Sequence, residues 1–224
     1  MEAIATDDSV LAAGARWLAA KRVTLGVIVV LAAVFAFERG VLWLYGPRTW
    51  GYLFLASGDL SPGWLLAPFA HQDLIHLGTT AGVLLVYGGL VEQRLAPATY
   101  LGFYVAAGYA STAAQLGAYL GGGPGLGTLG ASGAALGLVA FFSTATALER
   151  VWDSRDGEDT GRSVETVFAV TGVVVVALVV ANDFLPAVGF EAGTAPFGHL
   201  GGMLTGLFCG VVRIRGEGQS APGA

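Results

Sequence analysis

Four side chains in this sequence stand out as candidates for bond-breaking chemistry: Ser132 and the only three histidines, His71, His76 and His199. A serine hydroxyl is a weak nucleophile until a neighbouring base takes its proton, and a neutral imidazole has a suitable affinity for that proton. Ser132 closes a glycine-rich, uncharged stretch (Gly121 to Gly130) and opens an apolar run (Ala134 to Leu148). It is therefore expected at a helix N-terminus, where unpaired backbone N–H groups and the positive end of the helix dipole can hold a developing anion. Taken alone, such a serine is better explained as an N-cap flanked by packing glycines. The elements around it decide between the two.

Six apolar runs have lengths near those that cross a bilayer: Val23–Phe37 (extending towards Tyr45), Leu74–Val91, Ala98–Leu120, Ser132–Leu148, Val164–Ala181 and Phe197–Val212. They predict an all-α polytopic membrane protein built as a six-transmembrane-helix bundle. Nine of the eleven Lys and Arg residues fall on one side of that arrangement, with only Arg39 and Arg48 on the other. By the positive-inside rule both termini are expected in the cytoplasm of a cell with this chain in its plasma membrane. The second, fourth and sixth runs then descend from the outer face, and His76, Ser132 and His199 stand near their outer ends. All three share one depth. Gly198, Gly202, Gly206 and Gly210 repeat every four residues, and Gly133 and Gly137 share that spacing. Small-residue ridges of this kind let membrane helices approach closely, so the two ridges are expected to bring His199 to Ser132. Asp183 and Glu191 fall in or beside the outer loop before His199, and neither is placed convincingly to orient it. A Ser–His dyad is expected rather than a triad.

Composition narrows the function classes. The chain is 54% hydrophobic and only 12% charged, where soluble domains carry about a quarter charged residues. Lipid is its expected solvent. The net charge of −5 argues against nucleic acid as a partner, and the single Cys209 excludes an intramolecular disulfide. No removable signal peptide is read near the N-terminus. The expected organisation is a cytoplasmic segment over 1–22, the membrane domain over 23–212, and a cytoplasmic tail over 213–224 that reads as disordered from Gly216. The connection Glu38–Ala70, rich in Trp and Tyr, is expected to lie partly sunk in the outer leaflet. The connection Asn182–Pro196 is expected to act as a gate, and the acidic stretch Asp153, Asp156, Glu158, Asp159 to be a solvated loop.

Gly130-Ala131-Ser132-Gly133 resembles the G-x-S-G signature of rhomboid intramembrane serine proteases. His71-Gln72-Asp73-Leu74-Ile75-His76 is similar to that family's paired-histidine motif, and Gly198-His199-Leu200-Gly201-Gly202 to the motif around its catalytic histidine. Gly88-Gly89-Leu90-Val91-Glu92-Gln93-Arg94-Leu95 resembles the inner end of the family's second helix. The resemblance implies a six-helix rhomboid core in which Ser132 is the nucleophile and His199 the base. His76 would be an oxyanion donor beside Gly130 of the signature, with His71 supporting it near the mouth of the site. The implied substrates are single-span membrane proteins cut near the outer boundary, with no cofactor; the oligomeric state is left open. Two departures stand out. The family commonly has asparagine where this chain has Thr80, whose hydroxyl could serve as donor or simply bond its own helix. The first outer loop has Trp64-Leu65 in place of a Trp-Arg pair.

Three rival readings remain. A rhomboid-like protein that binds membrane clients without cutting them is the nearest, and retention of both Ser132 and His199 argues against it. Three histidines can bind zinc, but His71 and His76, five residues apart, converge only if His71 lies off the helix. A transporter would be expected to show internal repeats or paired charges at mid-membrane, and neither is visible.

Overall fold

The computed structural model describes residues 19–119, 127–156, 163–185 and 195–220. Among the described residues the regular structure is all helix, apart from an isolated bridge between Ala56 and Thr128. Helix α1 spans Arg22–Phe54 and α2 Gly63–Leu66, followed by a 3-10 turn, Ala67–Phe69. Helix α3 runs over Leu74–Val91 and relaxes into a π turn at Leu84–Gly88. Then come α4, Pro97–Ala118; α5, Ser132–Asp156; α6, Ser163–Phe184; and α7, Pro196–Ser220.

Four of these are long and apolar enough to cross a membrane by length and composition: α1, α3, α5 through Ser154, and α6. The third and sixth apolar runs form helices α4 and α7 at the expected places, but do not reach that threshold. Their glycines and polar side chains dilute the hydropathy. On α4, Ser111, Thr112 and Gln115 are turned inward and buried.

Helix α6 shows how lipid alters propensity. The valines Val173–Val176, Val179 and Val180 are β-branched and would form helix poorly in water. In hydrocarbon each backbone polar group must be paired within its own segment, so a helix wins. Only 11% of the most apolar stretch of α6 is buried, against 67% of that of α5. Helix α5 is thus the central post and α6 an outer stave. Val167, Val170, Val174 and Leu178 stand exposed on α6, as lipid-facing residues would.

The most extensive helix pair is α5 with α7. A Cβ at Gly202 would collide with the Gly133 carbonyl and one at Gly206 with the Gly137 carbonyl. The two expected glycine ridges therefore do meet, backbone to backbone.

Several boundaries differ from the sequence expectation. Much of the connection Glu38–Ala70 is helix, because α1 continues to Phe54 across a break at Gly46 (φ 77°) followed by Pro47. Glycine accepts the left-handed φ there, and proline restarts the helix. Trp43 and Tyr45 on this stretch are exposed, while Val41, Phe54 and Ala70 form a small core of their own. Asp153 and Asp156 extend α5 rather than lying in a loop; residues 157–162, with Glu158 and Asp159, lie outside the described residues. Helix α7 reaches Ser220 where disorder was expected from Gly216, since a nucleated helix gains one hydrogen bond per residue added. Residues 1–18, 120–126, 186–194 and 221–224 also lie outside the described residues, including most of the expected gate Asn182–Pro196 and Glu191.

Candidate active site

Helices α3, α5 and α7 all begin at one end of the bundle, and their first turns carry His76, Ser132 and His199. Common depth follows from common direction. Ser132 Oγ lies 3.1 Å from His199 Nε2, a hydrogen-bond distance between a nucleophile and its base.

Each partner is fixed from behind. The segment before Ser132 is held by a pair of backbone bonds: Ala56 N–H donates to Thr128 O at 3.0 Å and Thr128 N–H to Ala56 O at 2.8 Å. Gly130 N–H then donates to Ala67 O at 2.9 Å. The α5 ladder opens with Ala135 N–H donating to Ala131 O at 3.1 Å, so the amides of Ser132, Gly133 and Ala134 lie ahead of it. On α7, Gly198 N–H donates to the buried Gln115 Oε1 at 2.9 Å, which pins the turn carrying His199 to α4.

Gly130 holds the space between the serine and His76. Its φ of 135° belongs to a region that side chains rarely enter. A Cβ there would sit 3.1 Å from His76 Cε1, 3.4 Å from Ser132 Oγ and 3.5 Å from His76 Nε2. The point left open is thus within contact of both the hydroxyl and the imidazole, as an oxyanion subsite requires. His76 is itself positioned by Asp73, the N-cap of α3, whose Oδ1 accepts from His76 N–H at 2.8 Å.

His71 precedes α3 and is fully buried, its ring centroid 5.1 Å from that of His76. The two histidines converge because His71 lies off the helix. Its backbone N–H donates to the buried Glu38 of α1 at 3.0 Å. Burial foremost, then the neighbouring His76, pushes the His71 ring down to about 4, opposed by the Phe69 carbonyl and Asp73. His71 is therefore neutral at physiological pH. Among the described residues no three His, Cys, Asp or Glu side chains gather in a metal-binding cluster.

A cavity of about 560 Å³ opens beside the pair. His76, Thr80, Ser132 and His199 reach it, and Val175 and Val179 of α6 form one wall. Thr80 is buried against it. The lining is mostly apolar, with Gln72, Asp73, His76, Thr79 and Thr80 adding polar groups along one side of it, which suits an unwound stretch of polypeptide.

One expectation is overturned. Asp183, set aside above as too poorly placed to orient the base, lies 2.6 Å from His199 Nδ1 through its Oδ2. The pair is in contact with a third, carboxylate member. The sequence did hold a signal: α6 runs opposite to α5 and ends at Phe184, so its last turn returns to the depth of His199. The roles of Asp73 and Glu38 were also missed. Asp73, three residues before His76, has N-cap spacing; Glu38 carries no local mark, since its partner is 33 residues away.

A bundle of long apolar helices around a partly buried, hydrogen-bonded Ser–His pair is the build of an integral membrane protein. The Rhomboid domain model matches residues 62–216, and the chain belongs to that family, one of intramembrane proteases. No curated protein matches the chain.

Proposed function

We propose that this chain is an intramembrane serine endopeptidase that cuts single-span membrane proteins near the outer membrane boundary. The observation that carries the reading is the 3.1 Å contact between Ser132 Oγ and His199 Nε2 at the head of a partly apolar cavity. A substrate helix unwinds locally into the cavity between α3 and α6. Ser132 Oγ attacks the scissile carbonyl carbon while His199 Nε2 takes the hydroxyl proton. The carbonyl oxygen becomes an oxyanion beside Gly130, facing the Ser132 N–H and His76. Thr80 adds a hydroxyl where relatives commonly have an amide. The C–N bond then breaks, His199 returns its proton to the leaving amine, and water repeats the sequence to release the acyl group. The chemistry needs no cofactor.

The test is cleavage of a single-span reporter in proteoliposomes, with the cut mapped by mass spectrometry. Wild type is expected to cut once or twice near one membrane boundary, and Ser132→Ala not at all. Equal cleavage by both would refute the reading. Tight reporter binding with no cleavage by wild type would instead favour a client-binding protein.

A further inference from the structure

We propose that Asp183 is a positioning residue for His199, which makes the Ser–His pair, on whose reading this rests, part of a three-residue triad. Asp183 is 1% exposed at its side chain, and its Oδ2 lies 2.6 Å from His199 Nδ1. A carboxylate only accepts hydrogen bonds, so the proton in that contact belongs to Nδ1. A neutral ring protonated at Nδ1 presents its lone pair at Nε2, directly at the Ser132 hydroxyl 3.1 Å away. The opposite tautomer would press two acceptors together at Nδ1 and turn a donor toward the nucleophile, which is useless for proton abstraction.

The placement of Asp183 argues against a merely structural role. It lies in the last turn of α6, at the negative end of the helix dipole, where an anion is disfavoured. Burial adds a desolvation cost. Among the described residues its compensating contacts are His199 and the Asn182 side-chain amide, the latter at 3.5 Å. Val175 and Val179 stand eight and four residues earlier, so Asp183 shares their helix face. That stripe lines the cavity, while Val174 and Leu178 on other faces stand exposed. The carboxylate is aimed at the site. Among the described residues the titratable groups facing His199 are Asp183 from α6 and His76 from α3; α4 and α5 offer the uncharged Gln115 and Ser132.

During the reaction the Nδ1 proton stays on the ring. Nε2 gains the serine proton and passes it on, and the carboxylate stabilises the transient imidazolium without being protonated.

The test has two arms on the full chain in lipid. With only three histidines, ¹⁵N-histidine NMR of wild type reads the His199 ring directly, assigned by His199→Gln. The expected state is Nδ1–H with an unprotonated Nε2; an Nε2–H ring overturns the proposal without any variant at 183. Kinetics form the second arm. Asp183→Asn is expected to lower kcat by about 10²- to 10⁴-fold with KM changed less than about twofold, and to shift the ring away from the Nδ1–H form. Asp183→Leu, which cannot hydrogen-bond, is expected to lose as much and replaces the Asn variant if that fails to fold. Should either folded variant keep kcat within about twofold of a wild type that cleaves, Asp183 is not a positioning residue and the Ser–His reading stands. Should wild type neither cleave nor react with a fluorophosphonate, that reading fails and this proposal falls with it.

Discussion

Gly130 carries the sharpest demand on a single residue. Its φ of 135° disfavours any side chain, and a Cβ there would press on the His76 ring at 3.1 Å. Gly130→Ala should cost about 1–3 kcal/mol of backbone strain and push His76 from the oxyanion point. The expected result is a folded chain, checked by thermal denaturation in detergent, that labels and cleaves far more slowly than wild type. His71 makes a second prediction. Its folded-state affinity for protons is lowered from 6.5 to about 4, chiefly by burial, so the unfolded chain binds the extra proton between those values. Its contribution to stability is full above about pH 6.5 and is lost as pH falls towards 4. Melting at stepped pH should show that loss, diminished in a folded His71→Phe variant. Ser132 and His199 were legible from the sequence because each sits on a glycine ridge at a helix start. Asp183 was harder to read: its partner is fixed by where α6 ends, and a shift of about two residues there turns a side chain to the opposite face.

At the scale of the helix pair, catalytic geometry rests on two absent side chains. A Cβ at Gly202 or Gly206 meets the α5 backbone, so Gly206→Val must separate α5 from α7. Overpacking of this kind costs about 1–3 kcal/mol, and a small separation breaks the 3.1 Å contact. Fluorophosphonate labelling should be lost while helical circular dichroism is kept; labelling at the wild-type rate would show that ridge contact does not set the site. The four-residue glycine spacing announced this interface. The break in α1 was harder to read, because Gly46-Pro47 also suits a loop and the aromatic residues around it look alike in either state.

Across the whole molecule, the end opposite Ser132 is tied by charges reaching between distant segments. Glu92 accepts from the amides of Val23 and Thr24, both at 2.8 Å, and so caps α1 from the far side of α3. Lys21 Nζ donates to Gly89 O at 2.9 Å, and a Cβ at Gly89 would meet that side chain. Arg94 joins Glu149 of α5 at 3.3 Å and Glu165 of α6 at 2.9 Å, its guanidinium over Phe142. Glu92→Gln keeps the shape and removes the charge, and should destabilise the bundle by about 1–3 kcal/mol, read as a lower melting midpoint with the Ser132 end intact. Such long-range ties leave no local trace, whereas the apolar runs that place the helices do. The central claim is that the serine hydroxyl is activated by the imidazole beside it. Fluorophosphonate labelling, with the adduct located by mass spectrometry, tests it most directly. The account predicts an adduct on Ser132 in wild type, none in Ser132→Ala, and loss of labelling in folded His199→Ala; an adduct elsewhere, or undiminished labelling without His199, would contradict it.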